Sequence, residues 1–176
     1  MKKIDESLTK IKTSISEIIE KVHFNPLCEF KLENCLEVIP WDDIKIQGLY
    51  LIEIKNDNSF DSFNDWLMDF DNKWSVYNGM FTPTLKLKRI EAHNELKEWI
   101  PIYLGKSQKI SDRLGGHLNL ELDKKTYALK LTSRTNLVNE TFRLSIINLD
   151  VEHYDIIAPL VESALRNRIN PLVGKQ

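Results

Sequence analysis

The sequence predicts an α+β domain built round a small, mostly antiparallel sheet flanked by helices, with a helix ahead of the sheet and an insert between its first two strands. Two observations predict it. Short runs of apolar and β-favouring residues, GLYLIEI at 48–54, WIPIYLG at 99–105 and FRLSIINL at 142–149, have the length and composition of strands. Segments near both ends space their apolar residues by three and four, the period of a helix with one buried face.

From the N-terminus, Ile4, Leu8, Ile11, Ile15, Ile18 and Val22 alternate spacings of four and three, with polar residues between most of them. That is an amphipathic helix ending before Asn25-Pro26. Its narrow seam suits packing on its own domain, or a homodimer through paired N-terminal helices. Residues 27–47 read as a connector, so the chain divides into 1–47, helix and connector, and 48–176, the main domain with an insert at about 56–98. Within the insert Phe60, Phe63, Trp66, Leu67 and Phe70 recur at helical spacing, as aromatics that pack down onto the domain. After the second strand, Ser107 is the expected N-cap of a helix whose Ile110, Leu114 and Leu118 share a face. The Gly115-Gly116 pair would weaken that helix or mark a close backbone approach. TYALKL at 126–131 and FRLSIINL are expected as two strands joined by a polar loop, and Tyr154 to Ile169 as a closing helix stopped by Asn170-Pro171.

Composition narrows the function classes. A content of 42% hydrophobic and 28% charged residues fits a soluble globular chain with a real core, and no apolar run has the roughly 18 residues of a membrane span. The charged N-terminus lacks the apolar stretch of a secretion signal, which makes the cytoplasm the expected compartment. Cys28 and Cys35 are too few for a zinc cage and read as small buried hydrophobes. A net charge of −2 excludes an indiscriminate coat for nucleic acid, yet the charge is uneven. Glu53 to Lys73 holds six acidic residues against two basic, whereas Lys86 to Arg134 holds eleven basic against six acidic. A phosphate-binding face needs that kind of local excess.

Cleaving a phosphodiester requires an aimed water, neutralised phosphoryl oxygens and help for the departing alkoxide. Tyr50 and Tyr103 lie on the first two of these strands, so adjacent strands would put both phenols in one site. Arg113 and His117, four apart on the next helix, project from one face. An Arg offers a planar fork for phosphate oxygens, and a His relays protons near neutral pH. Glu162, on the last helix, supplies a carboxylate for one divalent ion.

Gly48-Leu49-Tyr50 and Tyr103-Leu104-Gly105 resemble the two half-motifs that name the GIY-YIG nuclease superfamily, each with Leu in place of Ile. YLGKSQKISDRLGGHL resembles that family's second strand and following helix, and VESALRNRINPLVGK its C-terminal helix. The resemblance runs from Gly48 to about Gly174. It implies a GIY-YIG-like fold and a divalent-metal-dependent endonuclease acting on DNA. In that reading Tyr50 is the general base or water-orienting phenol aided by His117, and Tyr103 positions the phosphate or water. Arg113 stabilises the transition state, while Gly105, Lys106 and Lys109 contact substrate. Glu162 ligates Mg²⁺ or Mn²⁺. Two features depart from the pattern. The insert lengthens the link between the half-motifs, as a DNA-recognition element would, with Lys86, Lys88 and Arg89 as its candidate phosphate contacts. Where the family commonly ends Pro-x-x-Asn, this chain has Pro171-Leu172-Val173-Gly174, so Asn167 or Asn170 would have to substitute. The alternatives are a module of the same fold that binds nucleic acid without cutting it, and a protein-interaction domain dimerising through the N-terminal helix.

Overall fold

Residues 1–174 are described by a computed structural model. Along the chain lie α1 (Lys2–Ile19), β1 (Asn25–Lys31), the one-turn α2 (Cys35–Val38), β2 (Gly48–Lys55) and α3 (Phe63–Trp74). The one-turn α4 (Leu87–Ile90), β3 (Trp99–Ser107), α5 (Ile110–Asn119), β4 (Thr141–Asn148) and α6 (Tyr154–Ile169) follow. The four strands make one sheet in the order β1-β4-β2-β3, and each neighbouring pair is antiparallel. The α+β architecture with an N-terminal helix and an insert between β2 and β3 is therefore as expected.

β2 is central and buried on both faces, so its successive residues feed two cores. Tyr50, Ile52 and Ile54 join the larger core with Phe63, Trp66 and Phe70 of α3 and with Ile110, Leu114 and Leu118 of α5. Leu49 and Leu51 join the smaller one with Leu104, Ile147, Ile19 of α1 and Val161 and Leu165 of α6. The insert and α5 thus cover one face of the sheet, and α1 and α6 the other. In β3 one extra residue, Ile102, stands where the pairing shifts from Ile52 with Tyr103 to Glu53 with Pro101. A one-residue slip reverses which face a side chain takes, so this bulge brings Tyr103 to the face that carries Tyr50. The insert's aromatics pack down as expected: Trp66 to Phe70 and Phe70 to Trp74 stack at 5.0 and 5.4 Å, all three buried.

Four expectations are corrected. The connector contains β1, which pairs with β4 as an edge strand of the same sheet, so the chain does not divide at residue 47. Pro26 hid it, because proline is excluded from central strands but tolerated at an edge. The expected strand at 126–131 is irregular chain leading into a 3₁₀ turn. Its backbone is satisfied without a ladder: Leu129 N–H donates to His117 Nδ1 at 3.1 Å, and Lys130 takes φ 56°, which no strand allows. Ser107 ends β3 instead of capping α5, and its hydroxyl accepts from Lys109 N–H. The first amides of α5 are satisfied at long range, Ile110 N–H by Ile46 O and Ser111 N–H by Ile44 O, at 3.0 and 2.9 Å. Finally, α1 docks only by its end. Ile19 is buried, and Arg168 of α6 donates to the Ile19 and Val22 carbonyls, while Ile4, Leu8, Ile11 and Ile18 remain exposed. Gly115 and Gly116 mark no close approach, since a Cβ at either would meet nothing nearer than 3.8 Å. Cys28 is half-buried and Cys35 buried, both as free thiols, and burial pushes Cys28 up to about 11.

Candidate active site

β3 is an edge strand, and the chain treats its free edge in two ways. At Pro101 and Ile102 it is covered by the C-terminal segment, whose Leu172 and Val173 N–H groups donate to those carbonyls at 2.9 Å. Beyond that cover a groove of about 820 Å³ opens, lined from both faces of the sheet. Tyr103 and Arg113 reach it from the α5 face, Glu162 and Arg166 from the α6 face, and Lys106 from β3 itself. α6 packs on the face opposite the phenols, yet its carboxylate enters the same groove by coming round the open edge.

Tyr50 lies beneath this groove, fully buried. It pairs across the strands with Gly105, and a Cβ there would stand 2.5 Å from Tyr50 Oη and 2.7 Å from Cζ. Glycine at 105 is what allows the phenol to lie flat over β3. The rings of Tyr50, Tyr103 and His117 form a triangle, with centroids 6.1 Å apart for the tyrosines, 5.9 Å for Tyr50 and His117, and 4.5 Å for Tyr103 and His117. Burial pushes the Tyr50 phenol well above its ordinary value; Tyr103 adds to the rise, and Arg113 opposes without reversing it. Tyr50 Oη makes no hydrogen bond meeting ordinary geometry, yet the Arg113 guanidinium is close enough to act on it. Burial disfavours the charge of Arg113, but the facing phenols outweigh this and hold it above its ordinary value.

His117 is not placed to relay protons. Burial and the charge of Arg113 push it down to about 3, so it is neutral at pH 7. Its Nδ1 lone pair is taken by Leu129 N–H, which leaves the proton on Nε2, buried and unpartnered. A buried polar atom without a partner calls for an explanation, and here two, Tyr50 Oη and His117 Nε2, lie beneath one patch of groove floor.

The remaining expected residues divide. Lys106 lines the groove with its Nζ 5.9 Å from the centroid of Tyr154, whose phenol is pushed up to about 12 by burial and then by Glu162 and Asp155. Lys109 is held by Asp112 at 2.9 Å and does not line it. Lys86 does, whereas Lys88 stays outside and Arg89 is buried beneath, donating to Pro171 and Val173 carbonyls. Glu162 accepts from Arg166 four residues on, and Arg89 is close enough to feel both charges. For a divalent ion the donor set is thus this one carboxylate; among the described residues no three His, Cys, Asp or Glu gather. One carboxylate fits Mg²⁺ or Mn²⁺, which commonly pair one protein oxygen with substrate phosphate and water, provided Arg166 gives way. Gly174, with φ 116°, lies against Tyr103 and lines the groove where the resemblance expects Asn; Asn167 and Asn170 do not line it.

Sequence reasoning missed Arg166, Phe81 and Tyr127, which also line the groove. Arg166 was legible as the helical neighbour of Glu162, while the two aromatics lie on irregular loops without a period. The chain matches no protein-family model, no curated protein and no solved structure.

Proposed function

We propose that the groove binds the backbone of DNA and hydrolyses a phosphodiester bond with the aid of Mg²⁺ or Mn²⁺, as the resemblance to GIY-YIG nucleases implies. The observation that carries this reading is the convergence of Tyr103, Lys106, Arg113, Glu162 and Arg166 on one groove at the open edge of β3. Residues from three elements, drawn from both faces of a sheet, have no packing reason to meet there. Three cations around one carboxylate suit a bound anion.

The roles follow from exposure. Arg113 is exposed and fixed by α5, so it offers its fork to the phosphoryl oxygens, and Lys106 adds a point charge. Tyr103 is the phenol that meets solvent and orients the attacking water or the scissile phosphate. Tyr50, buried and held protonated, braces Tyr103 from below instead of acting as the base, and His117 fixes the loop behind them. Glu162 would hold the metal ion, which when bound neutralises charge growing on the phosphoryl oxygens.

A second reading, binding without cleavage, is favoured by the engagement of Glu162 with Arg166 and by the spent lone pair of His117. Purified protein with DNA and Mg²⁺ or Mn²⁺, beside Arg113→Ala and Glu162→Gln, tests both. Cutting by the wild type and by neither variant is the expected result. Salt-sensitive binding with no cutting by any of the three would establish the second reading, and no affinity for nucleic acid would refute both.

A further inference from the structure

We infer that the groove takes an unpaired nucleobase, stacked on Phe81 and Tyr127, so that its substrate is single-stranded or locally unpaired nucleic acid. This rests on the phosphate-binding reading above and deepens it. Both rings line the same groove as Arg113 and Lys106, and both are exposed, Phe81 at 40% and Tyr127 at 68%. They meet edge to face, with centroids 6.0 Å apart and planes at 77°. One ring face is therefore open to a flat ligand while the other ring closes its side.

The arrangement is built. Phe81 takes φ 52°, a left-handed conformation that a Cβ disfavours, and such strain persists only where the surroundings hold it. Next to it sits Lys130, whose side chain is fully buried. Its ammonium donates to Met80 O at 2.9 Å, next to Phe81, and to Leu122 O and Lys124 O at 3.0 and 2.6 Å, on the loop that carries Tyr127. One buried charge thus pins the two aromatic loops together. Arg134, stacked 3.7 Å over Trp74 and 5.1 Å from the Tyr77 ring, braces the same turn of the insert from behind. The result is two exposed aromatic rings held at fixed geometry beside a cluster of cations. Paired bases present only their edges to a protein, whereas an unpaired base offers its π-face, and stacking on aromatic side chains beside a basic groove is how single strands are held.

The test is equilibrium binding by the full-length protein, without divalent metal, to three probes: a labelled single-stranded oligonucleotide, its duplex, and an abasic strand of the same length. Phe81→Gly, which accepts the positive φ, Tyr127→Ala and Arg113→Ala are compared with the wild type. We expect the single strand to bind more tightly than duplex or abasic strand. Phe81→Gly and Tyr127→Ala should weaken it by about 5- to 100-fold each, leave the abasic strand unchanged, and keep the protein folded. Equal affinity for all three probes, with both aromatic variants unchanged and Arg113→Ala weaker, would overturn the stacking site and leave the phosphate reading standing. No binding to any probe at low salt would overturn both.

Discussion

The burial of Tyr50 and His117 reassigns the chemistry of single side chains. His117 has a native pKa of about 3 against an ordinary value near 6.5, so between those values the unfolded chain binds the extra proton. The stability this neutral ring contributes is complete above pH 6.5 and is lost as pH falls toward 3. Denaturant titrations at pH 7, 5.5 and 4 should show the wild type losing up to about 1.4 kcal/mol per pH unit from this group, and His117→Gln should flatten that slope. An activity profile with an inflection near 6.5 that His117→Gln abolishes would contradict the assignment. Glu162 makes an opposite kind of prediction. It stands beside Arg166 and Arg89, so Glu162→Gln removes the one negative charge among the cations of the groove. Nucleic acid should bind more tightly to that variant, with a steeper salt dependence, while cleavage is abolished.

The elements carry the site through their backbones as much as through their side chains. Gly105 of β3 has no room for a methyl group under the Tyr50 phenol, so Gly105→Ala should cost about 1–3 kcal/mol in thermal or chemical unfolding. Gly115 in α5 is the control: a Cβ there would touch only Trp41 at 4.0 Å, so Gly115→Ala should be neutral or stabilise the helix by up to about 1 kcal/mol. α1 divides in the same way. Its residues from Lys2 to Ser14 are exposed and only its C-terminal end is tied down, so deleting residues 1–12 should shift the unfolding free energy by no more than about 1 kcal/mol. If α1 holds two copies together, sedimentation of the full chain will show a dimer that the truncated chain lacks.

At the scale of the whole molecule, the groove lies where the sheet ends at β3, beside the covering segment Pro171–Val173 that leads into Gly174 against Tyr103. Glu162, midway along α6, thereby lines the same groove as Tyr103 of the opposite face. The uneven charge of the sequence is only partly expressed there. Of the basic stretch from Lys86 to Arg134, Arg89, Lys130 and Arg134 are buried in structural roles, and Lys86, Lys106 and Arg113 face the groove. Among the described residues no helix is long and apolar enough to cross a membrane.

Local chemistry in the chain was enough to mark α6, α3, β2, β3 and β4, because each carries its own apolar period and needs no distant partner to reveal it. The resemblance to a known family, more than local chemistry, singled out Tyr103, Lys106, Arg113 and Glu162, which line one groove. Tertiary structure alone decided the rest. β1 exists because β4 offers it an edge, and TYALKL is no strand because His117 and Lys130 satisfy that loop by other means. Tyr50 and His117 lose the roles their residue types suggest because burial and one neighbouring amide, neither of them local in sequence, fix their protons. Periodicity reports what a segment wants to bury; which polar atoms end up without water depends on what packs over them.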